Sequence, residues 1–468
     1  MSALELSNDA ARDIWERDRR HFLHPFTDFS SFREKGALIV DHGTGCTITD
    51  ANGQQYLDAI GGLWCTNIGL GNEEMAEAIV DQVRRLAYSS TFTDMSNQPA
   101  ALLAAKLAEL APGDLNRAHF ATGGSTAVDS AFRLVQYYQS CQGKPEKIHM
   151  IARKQSYHGS TYASMSLGYK EHDRSSHFAF ITDTIHHLSA PDLYRAPEGM
   201  DEDAFCDFLV DEFETTIAEI GAEFIGGFFA EPVMGAGGVL VPPRGYLPRM
   251  REICRRHDIL FVSDEVVTAF GRLGHWFASE SVFDIVPDII CSAKGLSSGY
   301  LPISAVIYSD RVHEVISEGD SSRSYPSGFT YSGHPVCCAA ALKNIEIMER
   351  TNLLAHAQRV GLYFGKRLAE LRDLPLVGDV RGLGLMRCVE NVRDKRTKET
   401  FPGDLNIGKR ISDAAEELGL LVRPVGHLNI MSPPLTITEE EIDFVVEKLG
   451  IAIERTHAAL KSEGFVAG

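Results

Sequence analysis

No C-x-x-C pair, no H-E-x-x-H and no run of about 18 uncharged apolar residues occurs in this 468-residue chain. The first absence bears on the nine cysteines, which are odd in number and evenly spread. They fit reduced thiols better than a disulfide framework or a thiolate zinc site. The second leaves the seventeen histidines, His186-His187 among them, without metal-ligand spacing, so no metal is expected. The third excludes a membrane-spanning helix. Positive charge is also scarce: 45 basic against 64 acidic residues give a net charge of −19, and no stretch is dense in Lys or Arg. Nucleic acid is therefore not an expected partner. The opening MSALELSNDAARDIWERDRR mixes both charge signs, does not read as a signal peptide, and points to the cytoplasm.

What is present is ordinary globular material, with 44% hydrophobic and 23% charged residues. At about 150 residues per domain, the length alone predicts two to four domains. Thr47 to Thr49 and Gln54 to Leu57 flank Asp50-Ala51-Asn52-Gly53, a turn sequence that predicts a hairpin. From about residue 65, short apolar runs alternate with helical periods, the pattern of an α/β layer structure. Three strand-like runs, Phe224 to Ala230, Ile259 to Ser263 and Asp288 to Ala293, end at Glu231-Pro232, Asp264-Glu265 and Lys294-Gly295. Leu247, Met250, Ile253 and Cys254 repeat at helical spacing between the first two. Open α/β sheets bind ligands at the carboxyl ends of such strands, which puts Asp264 and Lys294 on one functional edge.

Beyond about residue 335 the pattern changes. Helical segments (Ala339 to Met348, Leu353 to Leu371, Ile407 to Leu418, Glu439 to Leu460) separate short strands at Val377 to Val380, Gly384 to Cys388, Leu420 to Arg423 and Asn429 to Met431. The division expected is a large domain over 66–335 and a smaller α+β domain over 336–468, joined by the N-terminal segment 1–65.

Six segments carry chemistry. Thr122-Gly123-Gly124-Ser125-Thr126 follows a strand-like run and opens a helix, where unpaired N–H groups suit a phosphate; a plain strand-to-helix turn explains it equally well. It matches neither the P-loop nor the dinucleotide fingerprint. Tyr157-His158-Gly159 could stack on a flat heterocycle or simply pack. Asp264-Glu265 could bind Mg²⁺, cap a helix or hold a protonated ring nitrogen. Lys294 stands among small and apolar residues, where poor solvation lowers an amine's pKa and frees it as a nucleophile, although most lysines are solvated surface charges. Phe329-Thr330-Tyr331-Ser332-Gly333-His334-Pro335 is dense in hydroxyls, and alone reads as a loop bonded to its own backbone. Arg423 on a Pro/Gly-bounded turn could pair with a carboxylate or form a surface salt bridge.

Taken in this order, the segments resemble the class III aminotransferases of the pyridoxal-phosphate fold-type I superfamily, and among them the amine:pyruvate (ω-) transaminases. The resemblance runs from His24-Pro25-Phe26 and Gly62-Leu63-Trp64-Cys65 to Ser432-Pro433-Pro434-Leu435. It includes Glu231-Pro232, Gly235-Ala236-Gly237-Gly238, Asp264-Glu265-Val266, Ala293 to Gly299 and the Phe329 to Pro335 block.

The resemblance implies an α/β fold, with a mixed, mostly parallel seven-stranded sheet in the large domain. By it, Lys294 bonds covalently to pyridoxal 5′-phosphate and then shuttles the proton, and Asp264 pairs with the pyridine N–H. Tyr157 stacks on one ring face, Val266 covers the other, and His158 and Glu231 belong to the same cofactor site. Gly124 and Ser125 bind the phosphate, with Thr330 reaching it from the partner subunit. That makes the active protein a homodimer with shared sites, alone or paired into a tetramer. Phe26, Trp64, Phe92 and Ala236 match pocket-shaping positions, and Arg423 matches a mobile arginine that binds a substrate carboxylate. Three departures stand out: Thr126 in place of the usual glutamate, Met234 in place of a glutamine, and a longer Ser321 to Ser327. The alternatives are a class III enzyme with another donor (4-aminobutyrate, β-alanine, taurine or a diamine) and a lyase, decarboxylase or aminomutase of the same fold, and a non-catalytic phosphate-binding module is the reading from outside it.

Overall fold

The computed structural model describes residues 8–319 and 324–466. Ser321 to Arg323, the first part of the expected insertion, lie outside the described residues. The predicted hairpin is present as the second and third of three N-terminal strands, β1 (Val40–Thr44), β2 (Thr47–Asp50) and β3 (Gln55–Asp58), with β2 antiparallel to β3. Asp50 fixes its turn by accepting from the N–H groups of Asn52 and Gln54 at 2.9 and 2.8 Å, and Gly53 takes φ +84°.

Seven strands form the central sheet: β4 (Arg117–Ala121), β5 (His149–Arg153), β6 (Ile185–Leu188), β7 (Ile225–Ala230), β8 (Leu260–Asp264), β9 (Ile289–Ser292) and β10 (Ser304–Tyr308). Their order is β4-β10-β9-β8-β7-β5-β6; β10 is antiparallel to both neighbours and every other pairing is parallel. Every residue of β7, β8 and β9 is buried, which is why their sequences read as continuous apolar runs rather than alternating ones. The helix Tyr246–Arg256 connects β7 to β8 and buries Leu247, Met250, Ile253 and Cys254, the residues that set its period. Strands β4, β5, β7, β8 and β9 all run the same way, so the loops after Ala121, Arg153, Ala230, Asp264 and Ser292 gather at one edge.

The C-terminal strands are β11 (Val377–Leu383), β12 (Met386–Asn391), β13 (Leu420–Leu421), β14 (Arg423–Val425) and β15 (Leu428–Met431). A sheet of order β11-β12-β15-β14 takes four of them, while β13 pairs in parallel with β3. The single strand expected over Leu420 to Arg423 is therefore two strands in different sheets, divided at Val422, which is locked in the core. Pro424 explains the division. Lacking an N–H, it fits only an edge strand, and β14 is an edge. Helix Ile407–Glu416 precedes this crossing, and Gly419 at φ +79° closes it as the sequence suggested.

Candidate active site

A cavity of ≈ 1180 Å³ opens at the carboxyl edge of the central sheet. Lys294 enters it from two residues beyond β9, with its backbone held at φ +46°, a left-handed conformation that non-glycine residues adopt at a cost. Burial pulls the ammonium below the usual lysine range, while nearby Asp264 acts in the opposite sense. The depression anticipated from sequence is thus present, and its cause is the cavity wall.

Asp264 ends β8 and is 5% exposed. Its Oδ2 lies 2.7 Å from Nδ1 of His158, and its Oδ1 accepts from the Val266 N–H at 3.1 Å. Each carboxylate oxygen accepts two hydrogen bonds, so the group keeps capacity for a donor from the cavity. Glu265 points away. Its buried carboxylate accepts from the N–H groups of Ala278 and Ser279 and from the Thr268 hydroxyl, at the start of helix Ala278–Phe283. The adjacent acids therefore have separate duties, one facing the cavity and one holding a helix.

Glu231, just past β7, accepts from the N–H of Tyr157 at 3.1 Å and of Gly235 at 2.9 Å. It fastens the aromatic loop to the glycine loop that carries Ala236. Burial raises its pKa. Gly124 and Ser125 begin the 18-residue helix Gly124–Cys141, whose first N–H groups face the cavity. Thr126 turns its hydroxyl back on the chain, accepting from the N–H of Gly123 at 3.1 Å and of Thr122 at 3.2 Å. It brings no charge to this cradle. Ser125 Oγ accepts from the Ser160 N–H at 2.9 Å, joining the two loops.

Gly159 has no room for a side chain. At φ +139°, a Cβ would lie 2.6 Å from Ser125 Oγ and 2.7 Å from Ser125 Cα. Gly159→Ala is expected to destabilise the protein by about 1–3 kcal/mol and to weaken phosphate-ester binding. Thermal melting with and without added cofactor checks this; an unchanged midpoint in both states would contradict it.

Phe26, Trp64, Ala236 and Arg423 line the outer part of the cavity. Trp64 is 3% exposed at φ +65°, and a Cβ on Gly235 would sit 2.3 Å from its ring. The Phe26 and Tyr157 rings are 6.4 Å apart. The Arg423 guanidinium faces the Trp64 ring at 5.8 Å and makes no hydrogen bond or ion pair with another described residue. Burial lowers its pKa.

Two expected site residues are not brought to this cavity. Phe92 is half exposed, and Thr330, also exposed, lies in the same surface region: Tyr88 donates to the Thr330 carbonyl at 2.9 Å, and Gly328 sits beside the Phe92 ring. Met234 is fully buried, bridged to Leu240 and not among the residues that line the cavity.

Residues 30–453 match the family described as Aminotransferase class-III. This chain belongs to the class-III aminotransferases. A putrescine–pyruvate aminotransferase of Pseudomonas aeruginosa is 38% identical, over 97% of this chain and 99% of the relative. Other relatives are named as transaminases of diaminobutyrate (Halomonas elongata, 38% identical, 97% of this chain and 98% of the relative) and gamma-aminobutyrate (Solanum lycopersicum, 38% identical, 96% and 87%). Among solved structures, a thermostable (S)-enantioselective omega-transaminase from Thermomicrobium roseum superposes with a TM-score of 0.93 at 40% identity, covering 97% of this chain and 100% of the other. A PMP-bound aminotransferase from Vibrio fluvialis gives 0.91 at 36% identity, covering 97% and 98%.

Class-III aminotransferases use pyridoxal 5′-phosphate, and the residues of this aminotransferase fit it. They offer a poorly solvated amine, a buried carboxylate with spare acceptor capacity, a helix N-terminus without a charged cap, and a backbone cradle that a Cβ would fill. When bound, the cofactor supplies a carbonyl carbon to receive the amino group and a cationic ring to accept electrons from the deprotonated substrate.

Four contributors to this aminotransferase site were not read from the sequence. Lys170 and Asp173 reach the cavity from a loop whose charges look like solvated surface. The wall from Thr400 to Ile407 comes from the C-terminal part of the chain, with no local signal. Arg153 is fully buried and donates to the Glu231 carbonyl. An arginine directly ending the apolar run Ile148 to Ala152 was the available signal.

Proposed function

We propose that this aminotransferase moves an amino group from a primary amine or ω-amino acid to pyruvate, releasing an aldehyde or ketone and then alanine, by a ping-pong mechanism in one cavity. The single observation that carries this reading is Arg423. A half-buried guanidinium with no carboxylate in ion-pair contact, only Asp173 acting on it from further off, is costly, and a keto-acid carboxylate is the direct counter-ion it lacks. Arg423 sits on edge strand β14 rather than on the turn its Pro/Gly neighbours suggested, so its long side chain would withdraw by changing rotamer when an apolar amine occupies the same place.

The roles follow from the chemistry. Lys294, whose charged form burial disfavours, holds the cofactor and carries the proton between the substrate carbon and the cofactor. Asp264, oriented by His158, keeps the ring nitrogen protonated. Gly124 and Ser125 take the phosphate, Tyr157 and Val266 bracket the ring, and Phe26, Trp64 and Ala236 shape the donor pocket. Phe92 and Thr330 reach the cavity of a second copy in a homodimer, which is supported by their exposure beside each other on this chain. A large cofactor domain over 66–335 and a smaller one combining 1–65 with 336–468 agree with the pairing of β3 with β13.

A donor panel with pyruvate, read by alanine formation, tests the reading. Glutamate formed from 2-oxoglutarate with no alanine from pyruvate would overturn the acceptor. Arg423→Ala is expected to slow the pyruvate half-reaction relative to the amine half-reaction by about 10- to 100-fold, as loss of a charged hydrogen-bonded pair implies. Single-turnover absorbance of each half checks it, and equal loss in both halves would contradict it.

A further inference from the structure

Three carboxylates line the cavity among the described residues: Glu231, Asp264 and Asp173. The first two are committed. Glu231 is filled by backbone N–H groups, and Asp264 is engaged by His158 and Val266 beside Lys294. Asp173 is different. It belongs to a short 3-10 turn, Glu171–Asp173, at the cavity wall, and it is close enough to Arg423 to act on it electrostatically. Its one ion-pair partner is Lys170, three residues earlier, whose Nζ lies 3.3 Å from Oδ2 and 3.5 Å from Oδ1. Both separations exceed the roughly 2.7–2.9 Å of a well-formed N⁺–H···O⁻ bond. A carboxylate so placed accepts about four hydrogen bonds in all, and a loose lysine leaves most of that capacity open. The neighbouring Arg174 does not compete: its guanidinium donates to the Gly168 carbonyl and covers the rings of Tyr169 and Phe180.

A ping-pong site must receive two chemically unlike substrates in one space. Here the wall carries one under-paired anchor of each sign: Arg423, with no acid in ion-pair contact among the described residues, and Asp173, with a loosely held lysine. A keto acid presents a carboxylate to the first. A donor presenting a second ammonium at its far end would match the second. We propose that Asp173 binds the distal ammonium of a linear diamine donor and thereby sets a preference for diamines over monoamines of equal length. This rests on the amine:pyruvate reading and adds to it a residue and a substrate class. Asp173 is a specificity residue and takes no part in proton transfer.

The test uses the holoenzyme with pyruvate, measuring kcat/KM for straight-chain α,ω-diamines of increasing length and for the matching monoamines. The native protein is expected to show a length optimum for diamines, as a fixed anchor requires, and no such optimum for monoamines. Asp173→Asn, nearly the same size, is expected to lower the diamine-to-monoamine ratio by about tenfold or more and to erase the optimum. Lys170→Met, which removes the competing ammonium, is expected to raise that ratio. An unchanged ratio in Asp173→Asn, or a fall in Lys170→Met, would overturn the proposal and leave Asp173 as the partner of Lys170. A native protein that uses monoamines but no diamine overturns it too, while the amine:pyruvate reading stands. Alanine formed from no amine at all removes both.

Discussion

Lys294→Ala is expected to reduce kcat by at least about 10⁴-fold, because in the proposed mechanism one side chain supplies both covalent attachment and proton transfer, and acid–base transfer alone contributes about 10²–10⁴. The loss should be specific to chemistry. The side chain enters an open cavity rather than the packed core, so melting of the apoprotein should change little. The near-visible absorption of the loaded protein should shift, and the bleaching by amine that pyruvate reverses should vanish. A variant that keeps turnover within about tenfold would remove Lys294 from the reaction, since that leaves only about 1.4 kcal/mol for it to supply. The φ of +46° adds a second expectation. With the functional side chain gone, Lys294→Gly should be more stable than Lys294→Ala, because glycine adopts that conformation freely.

Asp264→Asn has the second-largest expected effect. The amide keeps the size; its single oxygen can still accept from the Val266 N–H, while its NH2 stands opposite His158 Nδ1 and can only donate to it, so the architecture of the edge should survive with one acceptor position lost. What disappears is the negative charge that, in the proposed mechanism, holds a proton on the ring nitrogen. A hydrogen bond to a charged group contributes about 1.5–3 kcal/mol, and the electron-accepting power of the ring depends on that proton. A fall in kcat of at least about 100-fold follows, together with easier loss of the cofactor on dialysis. Single-turnover rates with amine should show the same fall, because the deprotonation step is the one affected. Native rates with weakened cofactor retention alone would reduce Asp264 to a binding residue.

Much of this site was legible because the chemistry sits where strands end. Continuous apolar runs identified β7, β8 and β9, since strands covered on both faces have no solvent side to alternate with. The polar residue after each run was then at the functional edge, which is how Glu231, Asp264 and Lys294 were found. Glycine in the turn before Ser125 and after His158 marked the cradle for the same local reason. The parts that escaped depend on distant packing. Whether Asp264 or Glu265 faces the cavity is decided by helix Ala278–Phe283, which claims Glu265. Charged Lys170 and Asp173 resemble solvated surface until the C-terminal wall, Thr400 to Ile407, encloses the same space. The division at Val422 was hidden because two short strands of different sheets, abutting in sequence, look like one.

The parallel pairing of β3 with β13 joins residues 57–58 to residues 420–421. Segments from both halves of the chain also meet in the cavity wall, where Arg423 lies against Trp64 and Phe26 lines the same space. During synthesis, the central sheet with Lys294 and Asp264 emerges more than a hundred residues before Arg423. The edge that holds the cofactor can therefore form while the pocket that selects the donor is still missing its wall. Contacts of such long sequence separation form late and slowly. Donor discrimination is then the last property the folding chain acquires, completed only when its final strands close over the first.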